Sequence, residues 1–546
     1  MKDRILVLLG VFCSLGLWGQ CDLEITGKVY DRSTGIPLEF ASIFIEPLGA
    51  GTVSDSLGQF QLVDLCAGSY HVQVSHLGCE DETFFLQLER DTFLSFMLSH
   101  HTELLDEVVI HEEGENTTES SSTLGKEAIQ SRASEDLATL LSSLPGISSL
   151  RNGSSISKPV IHGLFGNRVA ILNNGLAQAG QQWGNDHAPE IDPFVADHIS
   201  VIKGAASLQY GGNSLGSVVL IEADEQPTDP HLHGIGQYTF LRNGLGHIAN
   251  VQLEQKQEWA AWRLSGTFKR LGDRHTPDYF LQNTGNREAN FAAQLFRDFN
   301  TRWKNEAYYS FFSAEIGVLR GSHIGNTTDL QFALHQDIPF FTEPDFSYGI
   351  DAPKQRVEHH LLKLKSRYFI SESQVLQFKY GAQINRRREF DVRRSGRSDI
   401  PAMSIFQWHH TFDVNYQHSF GDGWFWKSGL QEVIVDNDNN PETGILPLIP
   451  TYRSFQSSLF SLLQKERGAW FYEFGARYDH RYYKVLNITR TVPRMVERNE
   501  HFYNNFSLSA GAKYRIGSKA ETSLNAGYVL RAPEVNELYS FGLHQG

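Results

Sequence analysis

The sequence predicts a mostly β protein in three parts: a small β-sandwich, a mixed α+β domain and a long antiparallel transmembrane β-barrel. Aromatic residues make up 12% of the chain, with 36 Phe and 20 Tyr against 4 Met. That excess suits pleated surfaces, where aromatic side chains pack well. From about residue 230 onward, segment after segment alternates between apolar and polar residues, as strands with lipid on one side and a wet lumen on the other require. Beyond the first twenty residues no run of about 18 apolar residues occurs, so no spanning helix is expected.

At 546 residues the chain exceeds one ordinary domain. Its net charge of -15 argues against nucleic-acid binding, which needs a basic face. The same charge would also keep a protein soluble. Residues 1–20 carry Lys2 and Arg4 ahead of an apolar core ending at Trp18-Gly19-Gln20, and read as a secretory signal peptide. That approach is poor for lipidation of Cys21.

Residues 21–99 are short strands and turns. Gly27-Lys28-Val29-Tyr30-Asp31 leads to Thr34-Gly35-Ile36-Pro37-Leu38, and Ser54-Asp55-Ser56-Leu57-Gly58-Gln59-Phe60 reads as strand, turn, strand. These motifs resemble the carboxypeptidase regulatory-like domain, an accessory sandwich without catalytic residues. Cys21, Cys66 and Cys79 leave the pairing open. Cys66–Cys79 is the simplest candidate disulfide in an oxidising compartment. No spacing fits a zinc knuckle.

Residues 100–123 are polar, acidic and Ser/Thr-rich, as in a linker. Within them Leu104 is followed by Leu105, Asp106, Glu107, Val108, Val109 and Ile110, an apolar island. Such a segment can add as a strand to a partner's sheet edge, or simply join the sandwich. Its position ahead of the next domain favours the first.

Residues 124–225 form the α+β part. Ser134 can cap a helix with Glu135 and Asp136 in its first turn, and Leu137, Leu140, Leu141 and Leu144 make one stripe. Pro145-Gly146 stops it. Pro159-Val160-Ile161-His162-Gly163 follows, then Arg168–Asn173 running into the Asn174-Gly175 turn, then Lys203-Gly204-Ala205-Ala206-Ser207-Leu208-Gln209-Tyr210-Gly211 with Leu215-Gly216. This ordered series resembles the plug of TonB-dependent outer-membrane receptors. The resemblance makes Pro145, Gly146, Gly163, Gly175, Gly204, Tyr210, Gly211 and Gly216 structural, and Leu105–Ile110 the TonB box that pairs with the energy-transducing protein. The family more often has Arg where His162 and Lys203 stand. Signal, sandwich, TonB box, plug and barrel is an order common among receptors of the Bacteroidetes type.

Residues 230–546 supply the barrel strands. Ala260, Trp262, Leu264, Gly266 and Phe268 alternate with Arg263, Ser265, Thr267 and Lys269. Two later segments, starting at Trp470 and Phe506, do likewise. Trp424, Trp426, Tyr482 and Tyr483 are placed as interfacial girdle residues. About 12 or 13 strands fit before Gly546, against 22 implied by the resemblance. The chain also ends soon after Arg531-Ala532-Pro533-Glu534, a family motif that lies well inside the barrel. The barrel is therefore expected to be truncated.

Two chemistries are weighed. In Trp183-Gly184-Asn185-Asp186-His187-Ala188-Pro189-Glu190, Asp186 and His187 could offer oxygen and nitrogen to zinc. The element is similar to one in zinc-type receptors of the same family, though a structural loop with a bonded His is the plainer alternative. His323 and one of His359 or His360, which point to opposite sides of a strand, could complete such a site. No His-Glu-x-x-His and no phosphate-binding Gly-Lys-Ser/Thr loop occurs, so no enzyme is expected. The resemblance implies active import of a scarce ligand, siderophore iron or zinc, as cargo rather than resident cofactor. It implies the inner-membrane TonB complex and outer-membrane lipid as partners, and no nucleic acid. A glycan or peptide importer with a lipoprotein partner is the alternative.

Overall fold

The computed structural model describes residues 21–99 (without 33, 34, 47, 77, 78 and 80), residue 118, and residues 121–540 (without 154, 182–186, 204–207, 209, 212–216, 224, 225, 323–326, 339, 341, 344, 394, 395, 518 and 519). The chain divides into two compact units, 1–107 and 108–546.

The first unit is the sandwich. Its strands are β1 (Leu23–Asp31), β2 (Ser42–Glu46), β3 (Ala50–Val53), β4 (Gln59–Leu65), β5 (Gly68–Ser75), β6 (Glu82–Leu88) and β7 (Thr92–Leu98). They form two sheets, β4-β1-β7 and β3-β2-β5-β6. Alternation along β1, β2 and β5 sends Ile25, Val29, Ile43, Ile45, Val72 and Val74 into the shared core.

The cysteine expectation is corrected here. Cys66 pairs with Cys21, not with Cys79. Register decides it: β1 and β4 pair antiparallel with Leu23 opposite Leu65, which sets Cys21 beside Cys66. Cys79 remains a buried thiol whose Sγ lies 3.4 Å from His76 Nδ1. Burial, and then the nearby Asp31 carboxylate, push that thiol above its usual pKa. Closing a loop of 45 residues, the bridge should stabilise the sandwich by about 3–4 kcal/mol. Non-reducing peptide mapping should recover a Cys21–Cys66 linked peptide. Cys21→Ser should lower the sandwich melting temperature, and Cys79→Ser should leave the link intact.

In the second unit the plug comes first, with β8 (Ser121–Gly125), β9 (Ile147–Asn152), β10 (Ile156–Ile161), β11 (Val169–Asn173), β12 (Leu176–Ala177), β13 (His198–Lys203) and β14 (Ser217–Glu222). Its main sheet has the order β12-β11-β14-β13-β8, and β9 and β10 form a separate hairpin. The helix is shorter than its apolar stripe suggests, spanning Leu137–Leu141. Its cap is Asp136 rather than Ser134, because the Asp136 carboxylate accepts from both the backbone N–H and the hydroxyl of Thr139, at 2.9 and 2.8 Å. Leu144 falls beyond the helix but still packs on the core of Leu137, Leu140, Leu141, Ile171, Ile199, Val201 and Val219.

The remaining strands are β15 (His233–Leu241), β16 (Gly246–Lys256), β17 (Ala261–Leu271), β18 (Arg274–His275), β19 (Phe280–Leu281), β20 (Asn286–Asn300), β21 (Trp303–Gly317), β22 (Thr342–Glu343), β23 (Lys354–Ser371), β24 (Gln374–Phe390), β25 (Met403–Phe420), β26 (Trp424–Asn439), β27 (Thr451–Arg467), β28 (Trp470–Ile488), β29 (Val496–Ile516) and β30 (Ala520–Tyr528). Among the described residues, thirteen of them form one antiparallel meander from β15 to β30, and β18, β19 and β22 form a small sheet among the loops. Trp262, Leu264 and Phe268 face outward, while Arg263, Ser265, Thr267 and Lys269 are buried on the inner side.

Turns between β20 and β21, β23 and β24, and β27 and β28 are two residues long, while the opposite ends carry the long connections 272–285 and 318–353. In bacterial outer-membrane barrels the rim with short turns is periplasmic and the rim with long loops extracellular. Tyr483 is not a girdle residue. Neighbouring Tyr482 takes the outer face, so Tyr483 turns inward, fully buried, and donates to the Pro533 carbonyl. After β30 the chain lies against the inner wall, where Glu534 grips Arg481 through two bonds of 2.7 and 2.9 Å.

Candidate functional site at the plug–barrel interface

The Asn-Gly turn read from the sequence lies at the centre of the interface. Asn174 and Gly175 both have positive φ, 49° and 75°, the geometry of a tight hairpin turn that Asn and Gly alone adopt at low cost. The turn presents its polar atoms to the wall. Lys363 of β23 donates to Asn174 Oδ1 at 2.8 Å, and Lys379 of β24 donates to the Gly175 carbonyl at 2.6 Å. Each lysine also holds a carboxylate, Glu306 and Asp413, which offsets its buried charge. Leu176 packs among Val195, Ala292, Tyr308 and Leu361. A Cβ on Gly381 would stand 2.7 Å from the Leu176 side chain, so this wall position needs glycine. Gln383 completes the dock by donating to the Ala177 carbonyl and accepting from the Ala179 N–H, both at 2.9 Å.

Toward the long-loop rim a buried ionic cluster follows. Glu190 contacts Arg387 and Asn385 of β24, and His359 Nδ1 lies 3.1 Å from its carboxylate. Gln178 donates to the Glu190 carbonyl at 3.0 Å and lies 2.6 Å from the same imidazole nitrogen. The other ring nitrogen of His359 reaches Gln383. His187 Nε2 meets Glu389 at 2.5 Å. Burial disfavours ionisation of Glu190, but the Arg387 guanidinium and the His359 contact outweigh it and hold the carboxyl below its usual pKa. Asp192, buried two residues on, is pushed up, with Lys269 only partly offsetting desolvation.

A lowered folded-state pKa gives Glu190 a stabilising contribution that is complete above the ordinary carboxylate pKa. That contribution is lost as pH falls through the lower folded value. Asp192 acts with the opposite sign, so ionising it as pH rises costs stability. Plug attachment, followed by protease protection of residues 169–192, should therefore weaken on strong acidification, and Glu190→Gln should flatten that dependence.

The structure sets the other sequence candidates as follows. His187 and His359 both sit at this interface but on different carboxylates, and His360 points outward against Phe311, 4.8 Å between ring centres. Asp186, His323, Gly204, Gly216 and Leu105–Ile110 lie outside the described residues. Gly146, Gly163 and Gly211 have positive φ. Pro145 lies in the turn closing the helix, and Tyr210 packs beside Leu172, Ile202, Val218 and Leu220. Among the described residues no group of three or more His, Cys, Asp or Glu is arranged to hold a metal. Sequence reasoning missed Lys363, Lys379, Gln383, Arg387, Glu190 and Glu389. Alternation placed the strand residues on a polar face, but nothing local marks which of them meet the plug.

A family model described as the TonB-dependent receptor plug domain matches residues 113–218, and one described as the carboxypeptidase regulatory-like domain matches 25–110. Residues 113–218 thus form a plug domain of the TonB-dependent receptor type. The vitamin B12 transporter BtuB of Photobacterium profundum is 21% identical over 429 residues, 77% of this chain and 60% of the transporter's length. The chain thus spans less than two thirds of that relative's length. The fold is shared with the ferric-catecholate import receptor Fiu of E. coli K12 (TM-score 0.58, 12% identity, 77% of this chain and 70% of that one). It is also shared with the hemophore receptor HasR of Serratia marcescens (TM-score 0.58, 14% identity, 78% and 65%). These relatives are receptors and transporters rather than enzymes, and this chain shares their β-barrel fold.

Proposed function

We propose that this receptor actively imports a scarce ligand, a metal ion or metal chelate such as siderophore iron or zinc, and that an inner-membrane TonB complex drives it through Leu105–Ile110. The observation that carries the reading is the fastening of the plug to the inner wall by Lys363, Lys379, Gln383 and Arg387. A lumen holding a domain bound this way does not pass solutes passively, so import needs work delivered to the plug. The N-terminal end of the plug is suited to receive it. Thr118 lies against the wall, accepting from Asn525 at 2.7 Å, and β8 is an edge strand of the plug sheet.

The metal reading is supported by the similarity of this fold to receptors named for ferric catecholate and for heme with its hemophore. We assign the signal peptide to 1–20, the sandwich to 21–99, the linker with its TonB box to 100–123, the plug to 124–225 and barrel strands to 230–546. Asp186 and His187, with His323 and His359, are the proposed ligand-facing set. A glycan or peptide importer with a lipoprotein partner is favoured instead by the loop aromatics Phe280, Phe346 and Tyr348, whose rings lie 5.8 and 4.8 Å apart in sequence, since such faces also receive sugar rings. Growth and uptake under iron limitation and under zinc limitation separate the two. Unchanged metal-dependent growth in an Asp186→Ala, His187→Ala double variant would remove those residues from the site.

A further inference from the structure

On the outer wall, near the extracellular rim, one row of directly opposed residues crosses six strands. His247 faces Arg270, Arg270 faces Arg287, Arg287 faces Glu315, Glu315 faces Arg356, and Arg356 faces Arg388. All point outward, because Lys269, Gln355, Arg387 and Glu389, next to them along the strands, are buried on the lumen side. In the adjacent row toward the membrane centre Arg386 faces Glu358. Below that the outer face turns mostly apolar, one row running Val251, Gly266, Phe291, Phe311, His360, Ile384 and Trp408.

Charge in this belt is unbalanced. Arg287, Arg356, Arg386, Arg388 and Lys354 share two carboxylates, Glu315 and Glu358, and Arg270 adds a fifth guanidinium to the belt. Arg287, Arg356 and Arg386 keep 46%, 42% and 52% of their side chains exposed. Like charges directly opposite one another destabilise a sheet, yet Arg270 opposes Arg287 and Arg356 opposes Arg388. Ring contacts hold two of them in place, Arg270 4.4 Å above Tyr348 and Arg356 5.5 Å above Phe390. Further round the wall, Asp436, Arg453, Lys484 and Glu500 oppose one another in sequence without such an excess.

We propose that this arginine belt binds the phosphate-bearing headgroup of an outer-leaflet lipid whose acyl chains lie on the apolar band below. Guanidinium groups suit the occupant because each can bond two phosphate oxygens at once. Phosphate between opposed arginines also removes their mutual repulsion. The proposal is independent of the imported ligand.

The test uses the full chain purified in dodecyl maltoside, with lipid binding read by native mass spectrometry and by melting temperature. Phosphatidic acid in mixed micelles should bind and raise the melting temperature, while diacylglycerol of the same chains and inorganic phosphate alone should not. Changing Arg270, Arg287, Arg356 and Arg388 together to Gln should weaken phosphatidic acid at least about tenfold, as the loss of several basic groups near an anionic surface requires. Arg453→Gln with Lys484→Gln should leave it unchanged. Should the fourfold variant fail to fold, the wild type decides by salt: phosphatidic acid binding must fall steeply with added KCl. Binding by the fourfold variant within about twofold of wild type, salt-independent binding, or equal stabilisation by diacylglycerol or free phosphate would overturn the proposal.

Discussion

Replacing Glu190 by Ala is expected to loosen the plug from the barrel wall by about 3–5 kcal/mol, because it leaves a buried cation without its partner. Arg387 and Glu190 are both almost fully inaccessible, so water cannot replace the lost carboxylate. Arg387 Nη1 would keep Gln355, at 3.2 Å, and His359 and Asn385 would lose a shared acceptor. Hydrogen exchange of the 169–192 peptides should show the loss as faster local opening. Removing both charges, with Glu190→Ala and Arg387→Met together, should recover much of it. Protection in Glu190→Ala equal to wild type would mean that the cluster does not fasten the plug.

Deleting residues 104–110 is expected to abolish uptake while leaving the receptor folded in the membrane. The segment lies ahead of every described plug element, and the described plug core is built from residues between Leu124 and Ile221. The deletion therefore separates energy coupling from folding. Radiolabelled iron-chelate and zinc uptake should fall to background, while surface binding of the same label and the amount of receptor in the outer membrane stay at wild-type levels. Uptake that survives the deletion would place the driving contact elsewhere.

Much of this architecture was legible because its signals are local. Period-two alternation at Trp262–Phe268 separates a lipid face from a lumen face whatever the partner strand. Asn174-Gly175 demands a tight turn, and the motif series from Leu144 to Gly216 names the plug. What was not legible depends on distance. Cys21 meets Cys66 only through the register of β1 on β4, and Asp136 displaced Ser134 as helix cap because Thr139 offers it two donors. Tyr483 and Tyr482 are equal as sequence, and only the parity of β28 sends one inward. At the interface, Glu190 reads as one more acidic loop residue until β24 brings Arg387 and Asn385 against it. Arg387 itself reads as one residue of a basic run at Arg386–Arg388, split by pleat into one lumen cation and two lipid-side ones.

The most direct test of plug-gated import is a reversible tether across the contact of Thr118 with β30. Thr118→Cys and Asn525→Cys replace residues already joined by a 2.7 Å hydrogen bond, and their disulfide would pin the N-terminal end of the plug to the barrel. Uptake of the radiolabelled iron chelate or zinc should stop in the oxidised protein and return on reduction, with surface binding unchanged. Import by the fully oxidised, cross-linked receptor at the wild-type rate would contradict gating from this end of the plug.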